Sequence, residues 1–427
     1  MTTCDLLIIG AGPGGYRAAE YAARQGLQVV IAEQQEVGGT CLNRGCIPTK
    51  TYVHSTTFAE AVERQQQVVQ QLRSGVEGIL SAPGITLLRG HASFLDAHTV
   101  SVSGDTVSAK SIIIATGSTA KLPPIADIDD PRVVTSTELL QMTRQPRRLC
   151  IIGAGVIGME FASVFNRFGS EVTVIEALKE CLPMLDGDIA KRLRKLLEKR
   201  GITFRMKTAL QSLAQLDADT ILVATGRQAN TEGLNLQAAG ITPDARGFIP
   251  VDDNYRVLPP HPSSLLPPPS SLLLPDIYAI GDVNGRQLLA HAAEMQAVRA
   301  VNHFLGRTDG IRFDIMPAAI FTDPEAACVG PTDDQLKDSG ADYRCRKAFW
   351  RANGKALAMN QTEGMLKLLS DASDRIVGCH AYGAHAADIV QEVSCLMCRD
   401  TTVDQLRDMV HIHPTLGEIL KSATEVN

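Results

Sequence analysis

Asp5-Leu-Leu-Ile-Ile-Gly10-Ala-Gly12-Pro-Gly14-Gly15 is the stretch from which the fold is read. Its apolar run reads as a buried parallel strand. The glycines after it let the backbone turn tightly and approach a pyrophosphate, whose charge then sits at a helix N-terminus. The stretch Tyr16 to Gln25 supplies that helix, Leu27 to Ala32 a second strand, and Glu33 closes the strand. A lone Gly-x-Gly-x-x-Gly says little. Inside a complete strand, turn, helix and strand with an acidic end it is a dinucleotide fingerprint. Glu33 is placed to accept hydrogen bonds from an adenosine ribose.

The same grammar recurs further on. Pro146 precedes a strand over Leu149 to Ile152, and Gly153-Ala-Gly155-Val-Ile-Gly158 opens a helix through Phe168. Val172 to Ile175 is the next strand, and Glu176 ends it. Two fingerprints in one chain imply two dinucleotides. A carboxylate at Glu176 bonds a free 2'-hydroxyl and repels a 2'-phosphate, so the second cofactor reads as NAD rather than NADP. Lys179 and Lys191 are the cations that would speak for NADP.

Composition sets the frame. The chain has 427 residues, 44% hydrophobic and 21% charged, which is ordinary for a globular protein of two to four domains. A net charge of -6 gives no reason to expect nucleic acid or a membrane surface as partner. No signal peptide precedes the first strand and no apolar run is long enough to span a bilayer, so the expected location is cytoplasmic. Ten cysteines in a chain of this length fit a reduced protein with one reactive pair rather than a secreted disulfide scaffold.

That pair lies in Gly38-Gly-Thr40-Cys41-Leu-Asn-Arg-Gly-Cys46-Ile-Pro-Thr-Lys50, expected at the opening of a helix. Two nearby cysteines can form a disulfide that takes up two electrons, and a helix N-terminus favours the reactive thiolate. The stretch, so soon after the first fingerprint, resembles the flavin-dependent pyridine-nucleotide disulfide oxidoreductases. Its Ile-Pro-Thr-Lys ending resembles the branch that oxidises dihydrolipoyl groups. The resemblance implies a Cys41–Cys46 redox disulfide, FAD in the first unit and NAD in the second.

Residue by residue, it implies FAD contacts at Gly10, Gly12, Gly14, Gly15, Glu33, Thr40, Lys50, Gly90, Thr116, Gly117 and, after a strand Ile277 to Ile280, Asp282. Leu288, Leu289 and Ala290 open the next helix toward the flavin. NAD falls to Gly153, Gly155, Gly158, Glu176 and Gly226. Glu160 matches a glutamate that pairs with Lys50 beside the flavin. Near the end, His411-Ile-His413-Pro-Thr-Leu-Gly-Glu418 supplies a base, His413, and an orienting carboxylate, Glu418. Histidine titrates near neutral pH and can take and return a thiol proton. In the family this pair serves the disulfide of the other subunit, so a homodimer is implied. His411 has the weaker claim, and no metal is expected, since no ligand of suitable spacing stands beside the two histidines.

The implied path is short. A reduced dithiol attacks the Cys41–Cys46 disulfide, and His413 removes its proton. Cys41, the more exposed sulfur by family position, exchanges with the substrate, while Cys46 lies against the flavin. FAD, when bound, carries the electron pair on to NAD. The expected partners are a lipoylated carrier domain or another small disulfide. Rival readings are a glutathione-type reductase, which Glu176 disfavours, mercuric and large thioredoxin reductases, which need cysteines after Cys398, and a flavin-bound homologue impaired in NAD turnover.

The expected fold class is α/β, two Rossmann-like dinucleotide-binding domains followed by an α+β C-terminal dimerisation domain. The division is 1–145 for the first part of the FAD domain, 146–226 for the NAD domain, 227–305 for the second part of the FAD domain, and 306–427 for the interface domain. The NAD domain reads as trimmed: Ile202 to Asp217 is too short for the family's three-stranded meander. A Pro-rich insertion over 256–275 nearly repeats itself and favours polyproline II; it reads as a tolerated surface loop. Helix is expected over Tyr52 to Leu80, Ala386 to Arg399 and Val403 to Met409. Cys395 and Cys398, with Cys4, Cys150, Cys181, Cys328, Cys345 and Cys379, read as buried packing.

Overall fold

The computed structural model describes residues 1–259 and 276–425; the expected insertion therefore lies outside the described residues from position 260 onward. The chain forms two compact units, Met1–Thr51 with Val62–Lys121 and Arg227–Ile311, and Tyr52–Ala61 with Leu122–Gly226 and Arg312–Asn427.

The first unit is built on a seven-stranded sheet. Thr2–Ile9 lies at its centre, parallel to Val29–Glu33 on one side and to Asp105–Ile114 on the other. Leu6, Leu7 and Ile8 are completely buried, which is what a run of apolar residues without alternation demands of a parallel strand covered on both faces. Ile85–Arg89 extends one edge. The strand Asp105–Ile114 divides its far edge: its first half pairs with Thr99–Val102 and its second half with Asp276–Ala279. The chain entering that last strand runs beside it, with the Val257 amide donating to the Ile277 carbonyl at 2.8 Å.

The stretch Tyr52 to Leu80 is not one helix. Cys46–Val53 ends, and a separate helix, Phe58–Leu80, follows. The break is made by a local cap, in which Glu60 accepts from the Thr56 amide at 2.8 Å while its own amide donates to the Thr57 hydroxyl at 3.2 Å. Threonine at such a position satisfies amides that have no helical partner.

The second unit holds two five-stranded sheets. One is parallel, with Arg148–Ile152 central between Glu171–Ile175 and Thr220–Val223. The stretch Ile202 to Asp217 contributes a single strand, Thr203–Arg205. The rest of that stretch crosses the sheet as a loop whose Leu213 and Leu216 pack with Cys150, Ile152 and Ile221. The other sheet is antiparallel, with Met365–Asp371 and Ile376–Tyr382 in its middle. Glu418–Thr424, a helix absent from the sequence expectation, closes the chain over it.

A buried charged cluster joins these layers. Asp186 caps the helix Gly187–Lys199 through the Asp188 amide at 3.1 Å, and accepts from Lys367 at 2.7 Å and from the Asp333 amide at 3.1 Å. The Asp186 amide donates to His380 Nδ1 at 3.1 Å, which leaves Nε2 to donate to the Pro331 carbonyl at 3.0 Å. That tautomer is neutral, and burial pushes the imidazole below its ordinary range. Burial alone would raise the Asp333 carboxyl, but Tyr343, Lys337 and Lys367 hold it well below the usual carboxylate range.

Replacing Lys367 by Met should cost about 3–5 kcal/mol, because Asp186 is left buried and uncompensated; urea unfolding measures it. A depressed carboxyl contributes stability above its unfolded value, near pH 4, and loses it as pH falls through the folded one. The stability gap between the wild type and Asp333→Asn should therefore be widest at neutral pH and close in acid, read from unfolding midpoints across the pH range.

Candidate active site

Both glycine turns are built alike. Gly10 and Gly153 have φ of +101° and +106°, a region that favours glycine. A Cβ on Gly15 would stand 1.8 Å from the Gly10 carbonyl oxygen, and one on Gly158 would stand 2.0 Å from that of Gly153. The middle glycines, Gly12 and Gly155, begin the helices Pro13–Arg24 and Val156–Arg167 with no side-chain cap. Uncapped amides at the start of a long helix suit an anion, and around Gly155 nothing lies within 4 Å of where a Cβ would be. Both turns thus fit the pyrophosphate of a dinucleotide.

The acidic strand ends also match. Glu33 accepts from the Ala11 amide at 2.7 Å and the Gln35 amide at 2.7 Å. Glu176 accepts from the Ala154 amide at 2.7 Å and the Leu178 amide at 2.8 Å. Each carboxylate holds its glycine turn while keeping lone pairs for a ribose.

The cysteine stretch departs from the expected single helix. Cys41 lies within Gly39–Arg44, and Cys46 begins Cys46–Val53, the helix that carries Lys50. The break falls at Gly45, where a Cβ would come within 2.9 Å of the Thr40 carbonyl oxygen. The thiolate-favouring helix start therefore belongs to Cys46. Cys46 is exposed and Cys41 half-buried, with Cys41 inside a turn pressed on the glycine loop. Both are thiols in this structure and share a hydrogen bond. That bond, then burial, then the Cys46 charge push the Cys41 thiol up, against the pull of Lys50.

The remaining residues expected to contact FAD lie in the same unit. Gly90, at φ +153°, leaves room for Ser103 and donates its amide to the Glu33 carbonyl at 2.9 Å. Thr116 donates its hydroxyl to the Asn230 carbonyl at 2.7 Å, and the Asn230 amide donates to the Gly117 carbonyl at 3.0 Å. Ala290 is the first residue of the helix Ala290–Phe304, with Leu289 before it and Leu288 exposed. Asp282 accepts from the Ser118 hydroxyl and lies 3.6 Å from Arg227. Sequence reasoning places Ser118 in the stretch Ala115-Thr-Gly-Ser118 that resembles FAD-contacting positions, but does not single out Arg227 or Asn230; the signal was the run Ala-Thr-Gly-Arg227 itself.

In the second unit Glu160 is buried, not a solvated helix residue, and accepts from the Phe321 amide at 2.9 Å. Gly226 has φ +125° with open space around it. His413 and Glu418 meet, Nδ1 to Oε1, at 2.9 Å, while the Thr415 amide donates to the other carboxylate oxygen at 2.9 Å. The Thr415 amide, then His413, hold the Glu418 carboxyl below its usual range. The His413 side chain is 79% exposed, so its second nitrogen is free to meet a substrate. His411 is 9% exposed and tied to Glu392 at 3.2 Å.

One cysteine expectation is corrected. Cys395 and Cys398 are both exposed. The helix Ala386–Met397 buries Ile389, Val390, Val393 and Met397, and positions 395 and 398 fall off that face. Cys4, Cys150, Cys181, Cys328 and Cys379 are buried and Cys345 half-buried. Among the described residues, no cluster of three or more metal-ligating side chains is found, and no helix is long and apolar enough to cross a membrane.

Comparison with known proteins agrees with this architecture. Residues 4–297 match the pyridine nucleotide-disulphide oxidoreductase family, and residues 316–424 match the dimerisation domain of pyridine nucleotide-disulphide oxidoreductases. A dihydrolipoyl dehydrogenase of Chlamydia muridarum is 34% identical over 97% of this chain and 95% of its own. A mitochondrial dihydrolipoyl dehydrogenase of Arabidopsis thaliana is 35% identical over 98% and 89%. Among solved structures, the HOCl-induced flavoprotein disulfide reductase RclA from Escherichia coli superposes with a TM-score of 0.90, at 32% identity, over 98% of this chain and 99% of that one.

The two turns can be separated by substitution. Gly158→Ala is expected to leave the purified protein yellow and to weaken NAD binding by about tenfold or more, some 1.4 kcal/mol. Gly15→Ala should instead lose the flavin. Visible absorbance and NAD titration check both.

Proposed function

The chain belongs to the pyridine nucleotide-disulphide oxidoreductases, and from that premise we propose that it oxidises dihydrolipoyl groups, through Cys41 and Cys46, with NAD as acceptor. It is an FAD- and NAD-linked oxidoreductase acting on a sulfur group. The observation that carries the proposal is the placement of the two cysteines, Cys41 in the turn Gly39–Arg44 and Cys46 opening the helix that carries Lys50, both following directly on the first dinucleotide turn. A dithiol substrate attacks the disulfide of the oxidised pair; one substrate sulfur bonds transiently to one cysteine while the other cysteine leaves, and the second substrate thiol then attacks that substrate sulfur and displaces the first cysteine. The product is the cyclic lipoyl disulfide, and the pair is left reduced.

His413 is the base that takes the substrate proton, and Glu418 fixes its tautomer from Nδ1. In a homodimer this pair serves the cysteines of the other subunit. Lys50 and Glu160 are assigned to the flavin's reacting end. Glu33 and Glu176 hold the two adenosine riboses, and the carboxylate at Glu176 selects NAD. FAD, when bound, passes the electron pair from the reduced cysteines to NAD. The division into FAD, NAD and interface domains at 145/146, 226/227 and 305/306 goes with this assignment. The cysteine usage goes with a reducing, cytoplasmic setting.

A second assignment, reduction of a small disulfide with electrons from a nicotinamide cofactor, is favoured by the likeness to the disulfide reductase RclA. Anaerobic titration with dihydrolipoamide and then NAD decides between them. A long-wavelength thiolate-to-flavin absorbance that appears with the dithiol and bleaches with NAD supports the oxidation of dihydrolipoyl groups. No absorbance with dihydrolipoamide, but rapid reduction by NADH or NADPH, supports the reductase. Glu418→Gln should lower turnover about 10–100-fold, read from steady-state rates with bound flavin unchanged.

A further inference from the structure

His413 stands on a stretch of chain that apolar packing does not hold. The stretch runs between two buried leucines, Leu406 in the helix Val403–Arg407 and Leu416. Val410 and Ile412, its aliphatic residues, are 98% and 80% exposed. Asp408, Met409, His413 and Pro414 are exposed as well. Of residues 408–414 only His411 is turned inward, its side chain 9% exposed. The place of the base therefore depends on what His411 meets.

It meets Glu392, on the helix Ala386–Met397, with Nε2 3.2 Å from the carboxylate Oε1. Its Nδ1 lies 3.3 Å from the Met409 carbonyl. A carboxylate only accepts, so the Glu392 contact calls for a proton on Nε2. Glu418 does the opposite for His413: it faces Nδ1 at 2.9 Å, which leaves Nε2 of the neutral ring without a proton. Two carboxylates on two helices thus set opposite tautomers in histidines two positions apart. Glu392 also reaches the chain beyond the base. A Cβ on Gly417, the residue before Glu418, would stand 3.7 Å from Glu392 Oε2 and 3.9 Å from the His411 ring. Thr415 closes the turn between, its hydroxyl donating to the Ile412 carbonyl at 2.7 Å and its carbonyl accepting from the Asn353 side-chain amide at 3.1 Å.

Resting on the assignment of His413 as the base, we propose that His411 and Glu392 are positioning residues whose bond sets where His413 Nε2 meets the substrate thiol. The proton passes from the substrate S–H to His413 Nε2, and the sulfur keeps its electron pair for the attack on the disulfide. His411 and Glu392 exchange no proton with the substrate. Their part is geometric, and a reacting group misplaced by about 1 Å loses on the order of 100-fold in rate.

The test compares two rates of the full-length, flavin-loaded protein. Oxidation of dihydrolipoamide by NAD needs the base, whereas oxidation of NADH by ferricyanide draws electrons from the flavin and does not. His411→Ala should slow dihydrolipoamide turnover about 10–100-fold and leave the ferricyanide rate unchanged. The deficit should narrow as pH rises above about 8.5, the ordinary thiol value, because the dithiol then arrives already ionised. His411→Gln, whose side-chain amide can donate in place of Nε2, should restore most of the turnover. Glu392→Ala should match His411→Ala, and the double variant should be no slower than either, since residues that act as a unit are not additive. Wild-type dihydrolipoamide turnover in His411→Ala would overturn the proposal. So would parallel loss of both rates, a deficit constant with pH, a His411→Gln protein as slow as His411→Ala, or a double variant whose losses multiply. If His411→Ala does not fold, Glu392→Ala, at a side chain 42% exposed, carries the same readouts alone. Failure of the base assignment looks different: His413→Gln would keep wild-type dihydrolipoamide turnover, or the wild type would show none.

Discussion

The absent side chain of Gly15 is the constraint on which the first unit depends. Helix and strand approach so closely there that any Cβ would enter the Gly10 carbonyl. Two further glycines of the same turn yield their side-chain space to different neighbours: Gly10 admits the backbone of Ala115 at the end of a central strand, and Gly14 admits Ala293 of a later helix. Gly39 of the cysteine stretch in turn yields its own side-chain space to Gly12. One turn of chain therefore sets the places of the strand end, the cysteine stretch and the helix Ala290–Phe304. The equivalent turn in the second unit keeps only part of this: Gly153 meets Ala224 and Gly158 meets Gly153, while Gly155 is left open. The first turn is enclosed by its own protein and the second is not.

Much of this was legible because glycine spacing and apolar runs are local signals. Both fingerprints and both acidic strand ends stand where the residues put them, and His413 meets Glu418 as the family resemblance implies. What was not legible depends on contacts between distant parts of the chain. Nothing beside Glu160 announces the Phe321 amide, 161 positions away, that it accepts. Arg227 looks like a polar residue after a strand until Ser118 and Asp282 are seen around it. The break at Gly45 could have been anticipated from the glycine between two cysteines. The exposure of Cys395 and Cys398 could also have been anticipated: counting a helical period from Ile389 and Val393 puts them off the buried face. The general hydrophobicity of cysteine was a weaker guide than the period of its own helix.

The second unit is held by a different logic. Its charged cluster trades hydration for a set of bonds in which every partner is specified: the Asp186 carboxylate caps a helix, binds Lys367 and bonds the amide of Asp333. Such clusters contribute little net stability compared with apolar packing, but they penalise alternative arrangements heavily. Here the penalty falls on any shift between the helix Gly187–Lys199 and the antiparallel sheet that carries Lys367 and His380. The neutral His380 tautomer shows how completely the cluster is specified, since its two ring nitrogens face one donor and one acceptor.

Glu33 and Glu176 draw these themes together. Each already spends one carboxylate oxygen on a backbone amide of its glycine turn, Ala11 or Ala154, and the other on an amide two residues beyond itself, Gln35 or Leu178. The residue proposed to read the ribose is therefore also a fastener of the glycine loop beside it. Cofactor preference in this chain is not an independent dial. A change at position 176 made to welcome a phosphorylated ribose would also unfasten the turn beneath it, so a lineage moving from one nicotinamide cofactor to the other must rebuild the loop and its recognition together.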